Sequence, residues 1–484
     1  MLLFRYLFLS WPDCVVFLTI GLLLSTITVM AQEPRPLFVE GYAGKVSYAP
    51  GETLSLHVST SAAEFSAEIV RLGGEVSKVW SSEGIAGNEY PVPENASSHG
   101  CAWPVAVEVP IPEDQPSGYY EVRFRVRDRG GKYVQRNIRQ SEGSCYFIVR
   151  SAHPGRDTRI LLQLSTNTYN AYNNWGGFSL YGYHGTAGNQ GHRVSFERPP
   201  SSLFGRWEQA FVKWAESNGY FLDYAANNDL EFHPELLDHY NLVLSVGHDE
   251  YWSAPMRDHL ETFIGNGGNV AFFSGNTCCW QIRNEEGGRA STCWKQNYHS
   301  DPVYQAREEY GLLSSLWSHH LVERPENTLT GVGFLWGGYH RSHGQYMEGS
   351  GAYTVHRPDH WVFAQTALKR DDAFGGKDTI VGYECDGCDM EWKDGLPVPT
   401  FKDGTPKTFQ ILGSAPAKWH PDDCQWYDQW ENGREGHAVL GVYTRGGTVF
   451  TCGSTDWAHG LAGKDPVVEQ ITRNVLDRLS QARK

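Results

Sequence analysis

The sequence predicts an all-β sandwich of immunoglobulin-like type at residues 36–150, followed by an α/β domain at residues 155–480. Three observations predict this order. The first region alternates apolar and polar side chains, the second opens with continuous apolar runs separated by helical patterns, and the segment after residue 329 returns to short apolar runs. A chain of 484 residues is long enough for about two or three domains.

The sandwich is predicted from short segments that alternate in polarity. Residues 53–58 alternate, and residues 119–126 do so more strongly, with charged side chains on one face. Pro50 followed by Gly51 is a turn signal, and the Pro-Ser-Gly run at 116–118 is another. Since no segment of this region has a helical period, two packed antiparallel sheets account for it.

The α/β domain is predicted from apolar runs at residues 159–164, 241–246 and 270–273, which are typical of strands buried on both faces. A further strand is expected at residues 220–224, and a long polar loop after the first run. Amphipathic helices lie between the strands, with faces that carry Phe204, Trp207, Phe211 and Trp214 in the first and Met256, Leu260, Phe263 and Ile264 in the second, which Ser253 caps. Strands that alternate with helices indicate a mostly parallel, doubly wound sheet.

Further strands are expected in the last third of the chain. They are predicted at residues 331–336, 379–383, 409–412 and 438–443. A hairpin turn is expected at residues 445–447, and a last amphipathic helix at residues 467–479. We interpret these elements as inserted strands and a closing helix of the same α/β domain.

The composition excludes some classes of partner. The formal net charge is −15 and no basic patch is present, which argues against nucleic acid and anionic membranes. Aromatic residues make up 13% of the chain, with 17 Trp and 25 Tyr, and such rings line cores as well as pockets for sugars or amides. We therefore expect a small neutral substrate and no nucleic-acid partner.

The first 31 residues have the features of a targeting segment. Arg5 precedes an apolar, uncharged run at residues 15–30, and Ala31 stands where a signal peptidase would cut, before Gln32. We expect a secreted or periplasmic protein. An uncleaved membrane anchor is the alternative, since the apolar stretch approaches spanning length.

The cysteines fit an exported protein. Of the ten, Cys14 lies in the targeting segment, and most of the others would be paired outside the cytoplasm. Cys101 and Cys145 both fall in the sandwich region and are the expected local disulfide. Cys385 and Cys388 have zinc-like spacing, but no second pair of this kind accompanies them, so a disulfide or a tight turn is favoured.

The candidate site is expected beyond the carboxyl ends of the parallel strands, where open α/β sheets bind ligands. Three loops meet there, at residues 165–177, 247–253 and 274–283. The second loop contains His248 and Glu250, which can move protons or bind a metal. The alternative is that Asp249 and Glu250 neutralise the N-terminus of the next helix and that Trp252 belongs to the core.

Neutral polar groups in these loops indicate recognition of a neutral substrate. The first loop is dense in amide and phenol groups and has no charge, although asparagines that merely hold a surface loop would give the same pattern. The candidate substrate-binding residues are Asn167, Tyr169, Asn170, Asn173, Trp252 and Asn276. A cysteine nucleophile at Cys278 or Cys279 is disfavoured, because the glycine spacing of a nucleophile elbow is absent.

Several rare strings occur in order across residues 155–480. They are TYNAYN at 168–173, RWE at 206–208, GHDEYWS at 247–253, GN at 275–276, WQIR at 280–283, RPEN at 324–327 and STDW at 454–457. In these strings the chain resembles the N,N-dimethylformamidase large (beta) subunit family. The resemblance implies a glutamine-amidotransferase-like α/β core and hydrolysis of the C–N bond of a small amide.

The resemblance also implies a mononuclear non-haem iron, bound by two tyrosines and a glutamate. Phenolates and a carboxylate are hard anionic donors that favour Fe(III), a Lewis acid able to polarise a carbonyl group. Tyr251 matches one tyrosine ligand, and either Glu309 or Glu326 would be the carboxylate, with Glu309 preferred. Relatives often carry the second tyrosine where this chain has Gln209.

The leading hypothesis is an exported, metal-assisted amide hydrolase in which His248 or Glu250 moves protons and asparagines orient the substrate. The resemblance suggests a small second subunit, or a homo-oligomer, as partner. The alternative is a non-catalytic module that binds carbohydrate or a cell surface. The sandwich, the aromatic-rich cleft and the missing second tyrosine favour that alternative.

Overall fold

A computed structural model describes residues 36–129, 138–342, 345–346, 351–419 and 435–481. The targeting segment lies outside these residues, so cleavage after Ala31 and export stay predictions. Within the described ranges, no helix is both long and apolar enough to cross a bilayer.

The N-terminal region forms two sheets. Its elements are β1 (Val39–Ala43), β2 (Ser47–Tyr48), β3 (Thr53–Thr60), β4 (Glu64–Leu72), β5 (Val76–Ala86), α1 (Ala96–His99), β6 (Val105–Pro110), β7 (Gly118–Arg129) and β8 (Ile138–Val149). One sheet has the order β1-β3-β6 and the other β2-β8-β7-β4-β5. Leu56 and Val58 from the first share a buried core with Ile69, Val122 and Phe124 from the second. The predicted alternation is confirmed in β3 and β7, and the immunoglobulin-like assignment stays a prediction.

Most of the remaining strands belong to one large mixed sheet. The strands after β8 are β9 (Ile160–Leu164), β10 (Arg193–Ser195), β11 (Asp223–Ala226), β12 (Leu242–His248), β13 (Tyr251–Ser253), β14 (Asn269–Gly275), β15 (Trp280–Glu285), β16 (Ala290–Thr292), β17 (Gly333–Tyr339), β18 (Arg341–Ser342), β19 (Gln345–Tyr346), β20 (Tyr353–Val355), β21 (Ala373–Phe374), β22 (Glu384–Gly387), β23 (Met390–Lys393), β24 (Leu396–Pro399), β25 (Gln410–Lys418), β26 (Glu435–Arg445) and β27 (Gly447–Thr451). The large sheet has the order β11-β9-β12-β14-β27-β26-β25-β17-β22, and β20 and β21 branch from β25. Pairing is parallel from β11 to β27 and antiparallel beyond β27. A smaller sheet has the order β10-β16-β15-β13.

Helices cover both faces of the parallel part of the large sheet. The helices after β8 are α2 (Thr166–Tyr172), α3 (Glu208–Ser217), α4 (Asp229–Phe232), α5 (Ala254–Gly265), α6 (Pro302–Ala306), α7 (Asn327–Thr330), α8 (Trp457–Ala462) and α9 (Pro466–Leu479), and those that cover the faces are α3, α5, α8 and α9. Side chains of α3, α8 and α9 share one core with Leu244 and Phe273, and those of α5 share another with Val243 and Phe272. Because successive strand residues point to opposite faces, both faces must be apolar, which explains the continuous apolar runs. The glutamine-amidotransferase-like assignment stays a prediction.

The helix starts follow from their capping residues. The Ser253 hydroxyl accepts a hydrogen bond from the Met256 N–H at the start of α5, and the Asp465 carboxylate caps α9 in the same way. The predicted face of α5 is buried, as is that of α9. The strand expected at residues 220–224 is β11, which begins at Asp223.

Three segments differ from the predicted elements. Residues 166–172, expected as a loop, form α2, because their asparagine side chains bond to other segments that a local pattern does not contain. Residues 379–383 precede β22 instead of forming a strand. Phe204 and Trp207 are buried but precede α3.

The predicted disulfides are not formed. All eight cysteines in the described part of the chain are buried and unpaired, and Cys14 and Cys424 lie outside it. Cys101 packs in a small cluster with Tyr42 and Trp103, whereas Cys145 belongs to the core between the N-terminal sheets. Likewise, Cys385 and Cys388 belong to the two separate cores of the large sheet. The expected partners therefore pack in different places.

Two ion pairs join the N-terminal sheets to the large sheet. Arg71 of β4 donates to Glu216 of α3, from Nη2 to Oε1 at 2.7 Å and from Nη1 to Oε2 at 3.0 Å. Arg150 donates to Oδ1 of Asp229 at 2.9 Å. None of these four side chains is more than 18% exposed, so both pairs are largely desolvated and bind the two parts firmly.

A buried carboxyl group lies beside the same junction. Glu208 accepts a hydrogen bond from the hydroxyl of Tyr169, whose ring packs edge-on against Tyr146 of β8. Burial raises the pKa of Glu208 from its ordinary value of 4.5 to about 7. Between these two pH values the folded chain retains a proton that the unfolded chain has released, so folding stability falls as pH rises through this window.

We expect Arg71→Ala to lower the free energy of unfolding by on the order of 2 kcal/mol, because Glu216 would be left buried without its cation. Urea unfolding measures this change. Arg156→Ala is the matched control, since the Arg156–Asp157 pair is 61% and 69% exposed and should contribute nothing measurable. Equal losses in the two variants would contradict the role of the buried pair.

We expect Glu208→Gln to flatten the pH dependence of stability. Between pH 4.5 and pH 7, Glu208 should lower the wild-type free energy of unfolding by about 3 kcal/mol. The variant should not show this decrease. Urea unfolding at several pH values measures the slope. Glu235→Gln, at a 65% exposed side chain, should keep the wild-type slope, and an unchanged slope in Glu208→Gln would refute the assignment.

Candidate functional site

His248 is the last residue of β12, at the carboxyl end of a central parallel strand. The preceding Gly247 has φ of 81°, and a Cβ there would lie 2.3 Å from Cβ of Trp207, so this close approach requires glycine. The His248 side chain is buried, with Nε2 2.7 Å from Oε2 of Glu384 and 3.3 Å from Oε2 of Glu250. One imidazole therefore lies between two buried carboxylates.

Glu384 comes from β22, which is distant in the sequence. Its backbone oxygen accepts from the Thr455 N–H at 3.2 Å. A Cβ on Gly275, the last residue of β14, would lie 2.7 Å from that same oxygen, so glycine permits the contact. Since Gly275 is the register partner of His248, this packing brings Glu384 to the end of β12.

The two carboxylates determine the charge of His248. Burial by itself would lower the pKa of His248, but Glu384 and Glu250 outweigh it and raise this pKa to about 10. Burial opposes ionisation of Glu250, yet His248 lowers the pKa of Glu250 below its ordinary value. Nε2 of His248 and Oε2 of Glu384 face each other at 2.7 Å, whereas Nδ1 of His248 has no hydrogen-bond partner among the described residues and can bond to a substrate or a water.

A line of hydrogen-bonded phenols continues from Glu250 into the protein. The Tyr181 hydroxyl lies 2.9 Å from each oxygen of Glu250 and donates to this carboxylate, as does Nε1 of Trp280 at 2.8 Å. The Tyr251 hydroxyl donates to that of Tyr181 at 2.8 Å and accepts from Nζ of Lys295 at 3.0 Å. Nζ of Lys295 also lies 3.4 Å from the centroid of the Tyr181 ring, a cation–π contact.

Burial keeps the phenols protonated. It raises the pKa of Tyr181 and of Tyr251 well above 10, and the charge of Glu250 acts in the same direction. Burial lowers the pKa of Lys295 to about 8, against the opposing effect of Glu250, so most of the lysine is an ammonium at neutral pH. The phenols therefore act as hydrogen-bond donors and Lys295 as a cation.

Aromatic side chains form the rim of this polar cluster. Ring centroids of Tyr172, Trp207 and Tyr383 lie 5.7, 5.0 and 5.9 Å from that of His248. Tyr172 and Tyr383 are half-buried, and the exposed guanidinium of Arg206 lies over the rings of Trp207 and Tyr383. The cluster is therefore bordered by aromatic rings, of which those of Tyr172 and Tyr383 are partly exposed to solvent.

The structure brings together three of the predicted residues, His248, Glu250 and Tyr251, but not Glu309. Glu309 is exposed, with φ of 51°, before a short 3₁₀-helix, whereas Tyr251 is fully buried. This placement does not support the predicted ligand pair of Tyr251 and Glu309, which stays a prediction. Glu326, the alternative carboxylate, is buried, and burial raises the pKa of Glu326 to about 7.

The three asparagines of the first loop that were predicted to bind substrate are buried, and their side chains bond to backbone oxygens. Their side-chain amides donate to other segments: Asn167 to Tyr251 O at 3.3 Å, Asn170 to Val194 O at 3.4 Å, and Asn173 to Pro199 O at 3.0 Å. These bonds match the alternative of asparagines that fix the loop. Their role in substrate binding stays a prediction that these contacts do not support.

The other predicted substrate residues also have internal partners. Tyr169 donates to Glu208, and Nε1 of Trp252 donates to a backbone oxygen inside the core. The Asn276 N–H donates to the carboxylate of Asp386 at 3.0 Å. Tyr169 and Trp252 are buried and belong to the support of the site, whereas Oδ1 of the buried Asn276 side chain has no hydrogen-bond partner among the described residues.

Sequence reasoning does not find Tyr181, Lys295 or Glu384. Glu384 directly follows the strand expected at residues 379–383, and this place at a strand end is the signal that could have found it. Tyr181 and Lys295 stand in segments without a periodic pattern. No spacing in the sequence indicates that these two residues meet.

The iron implied by the resemblance requires two phenolates and a carboxylate. Tyr181, Tyr251 and Glu250 have these donor types, but the Tyr251 oxygen already accepts from the Lys295 ammonium and the Tyr181 hydroxyl donates to Glu250. In the described part of the chain, no group of three or more His, Cys, Asp or Glu is arranged to hold a metal. The donor set present does not fit an iron ion, and no step of the proposed reaction depends on one.

This chain is similar in sequence to known proteins over most of its length. The family described as "N,N-dimethylformamidase beta subunit-like, C-terminal" matches residues 66–472. Two curated relatives, the N,N-dimethylformamidase beta subunits of Paracoccus aminophilus and of an Alcaligenes species, are each 24% identical across 78% of this chain and 54% of the relative. The chain thus spans about half the length of these relatives.

A solved structure, the sporulation control protein Spo0M from Bacillus subtilis, matches 25% of this chain and 52% of that one at 15% identity, with a TM-score of 0.15, which is too low to bear on the fold. The family match, in contrast, contains His248, Glu250, Lys295 and Glu384 within one continuous span and confirms the resemblance seen in the strings. The chain belongs to the N,N-dimethylformamidase beta subunit-like family.

Proposed function

We propose that this chain hydrolyses the C–N bond of a small neutral amide. The observation that carries the proposal is the imidazole of His248, held between Glu384 and Glu250 at the end of β12 beside partly exposed aromatic rings. Open α/β sheets place their ligands at this edge. The names of the two curated relatives support an amide as the class of substrate.

The cluster can supply the proton transfers of amide hydrolysis. Glu384 takes a proton from a water molecule while the water oxygen bonds to the carbonyl carbon. The imidazolium of His248 stabilises the oxyanion of the tetrahedral intermediate. The proton then passes from Glu384 to the amide nitrogen, the C–N bond breaks, and the products are a carboxylic acid and an amine.

Glu250 has a different role from Glu384. It accepts hydrogen bonds from Tyr181 and Trp280, so its carboxylate is fixed and already partnered. Its charge keeps His248 protonated and holds the ring in place. Glu250 is therefore a positioning residue, and Glu384 is the base.

The charges of the cluster favour an uncharged substrate. Ionised Glu250 and Glu384 are balanced by His248 and Lys295, so a neutral molecule leaves the buried charges compensated. The rim offers rings and hydroxyl groups, which suit a small polar molecule.

A partner and a location complete the proposal. The relatives are named as beta subunits and are about twice as long as the matched segment, which supports action with a small second subunit or as a homo-oligomer. Export, predicted from the first 31 residues, places this assembly outside the cytoplasm.

We expect Glu384→Gln to lower kcat by roughly 10²- to 10⁴-fold, because an amide cannot take the proton from water. Amine release from formamide, N-methylformamide and N,N-dimethylformamide measures the rate. Glu309→Gln, at an exposed carboxylate, is the control and should match the wild type. Wild-type kcat in Glu384→Gln would remove Glu384 from the mechanism, and a wild type that binds these amides without turnover would favour a binding module.

We expect Tyr181→Phe to move the acid limb of the pH–kcat profile upward by roughly one pH unit. The Tyr181 hydroxyl helps to lower the pKa of Glu250. Loss of this hydroxyl raises that pKa, so Glu250 becomes protonated at a higher pH than in the wild type. Tyr240→Phe is the matched control, since this buried phenol donates to Asp223 at 2.8 Å, another carboxylate. Superimposable profiles for Tyr181→Phe and the wild type would count against the role of Glu250.

A further inference from the structure

Lys295 is buried, with 1% of its surface exposed, inside the phenol line. Its Nζ lies 3.0 Å from the Tyr251 hydroxyl, 3.4 Å from the centroid of the Tyr181 ring and 4.6 Å from that of Trp280. Its backbone has φ of 54°, a left-handed conformation that costs a side-chain-bearing residue free energy. A buried cation on strained backbone must be compensated by the groups around it.

The ammonium sets the direction of the hydroxyl protons. An ammonium only donates, so the Tyr251 oxygen accepts from Lys295 and its proton must point elsewhere, to the oxygen of Tyr181. The Tyr181 proton then points to Glu250, which accepts it. Lys295 therefore orients the whole line of donors towards the carboxylate.

The charge of Lys295 also balances the cluster. Ionised Glu250 and Glu384 carry two negative charges, and His248 and Lys295 carry two positive charges. A ferric ion bound to two phenolates would add three positive charges and displace two protons, which leaves one uncompensated positive charge in a buried site. Without the lysine, the same exchange would end at zero net charge.

We propose that the ammonium of Lys295 is the resident cation of this site and occupies the Tyr251 oxygen that an iron ion would need as a ligand. The site of this chain thus differs from the iron site that the family resemblance implies. Lys295 is a positioning residue, since it acts on Glu250 through the two phenols.

Iron uptake by the full chain tests this proposal. Wild type, Lys295→Met and Lys295→Arg are stripped with a chelator, incubated with ferric nitrilotriacetate and desalted. Bound iron is measured by mass spectrometry, and tyrosinate coordination by visible absorption. We expect Lys295→Met to bind about tenfold more iron than wild type or Lys295→Arg, with a tyrosinate charge-transfer band. Adding Tyr251→Phe should abolish that band.

Two results would overturn the proposal. One is stoichiometric iron in the wild type with a band that Tyr251→Phe removes. The other is a folded Lys295→Met that takes up no more iron than the wild type. Lys295→Gln, neutral and similar in length, repeats the test if Lys295→Met does not fold. Since hydrolysis is not a readout, this test is independent of the amide-hydrolysis proposal.

Discussion

The burial of two carboxylates at one edge of the large sheet is the constraint on which the rest of the site depends. Glu250 and Glu384 can remain ionised there only beside cations and hydrogen-bond donors. His248 lies between them, and Tyr181 and Trp280 donate to Glu250. These groups come from separate segments, so β12, β15, β22 and the loop before β10 must converge at one point. The sheets around the site bring these segments together.

The antiparallel half of the large sheet brings Glu384 to the site. The parallel strands alone would leave their carboxyl ends open to solvent, whereas β27, β26, β25, β17 and β22 return the chain to the end of β14. Glycines make this return possible. A Cβ on Gly337 would lie 1.8 Å from the backbone oxygen of Cys385, and one on Gly275 would lie 2.7 Å from that of Glu384. The place of Glu384 is thus set by glycines in two other strands.

Local patterns predict the part of the site that adjacent residues build. The strand that ends in His248 and the cap at Ser253 are properties of a short window of sequence, and both are present. Lys295 and Tyr181 stand in segments without a period, and their meeting depends on long-range packing that no window contains. Glu309 is of a residue type that is expected in a metal site, but residue type alone does not distinguish an exposed turn from a buried cluster.

The strings that carry the family resemblance divide into two kinds by what their side chains contact. Asn170 and Asn173 satisfy buried backbone oxygens, and loss of such a bond costs about 1–3 kcal/mol, so they stabilise the fold whatever reaction the chain catalyses. His248 and Glu250 instead bear on chemistry, together with Glu384, which lies outside every string. Similarity of the first kind therefore supports membership of the family without bearing on the reaction. The proposed activity rests on the second kind, which has to be judged from charge and geometry.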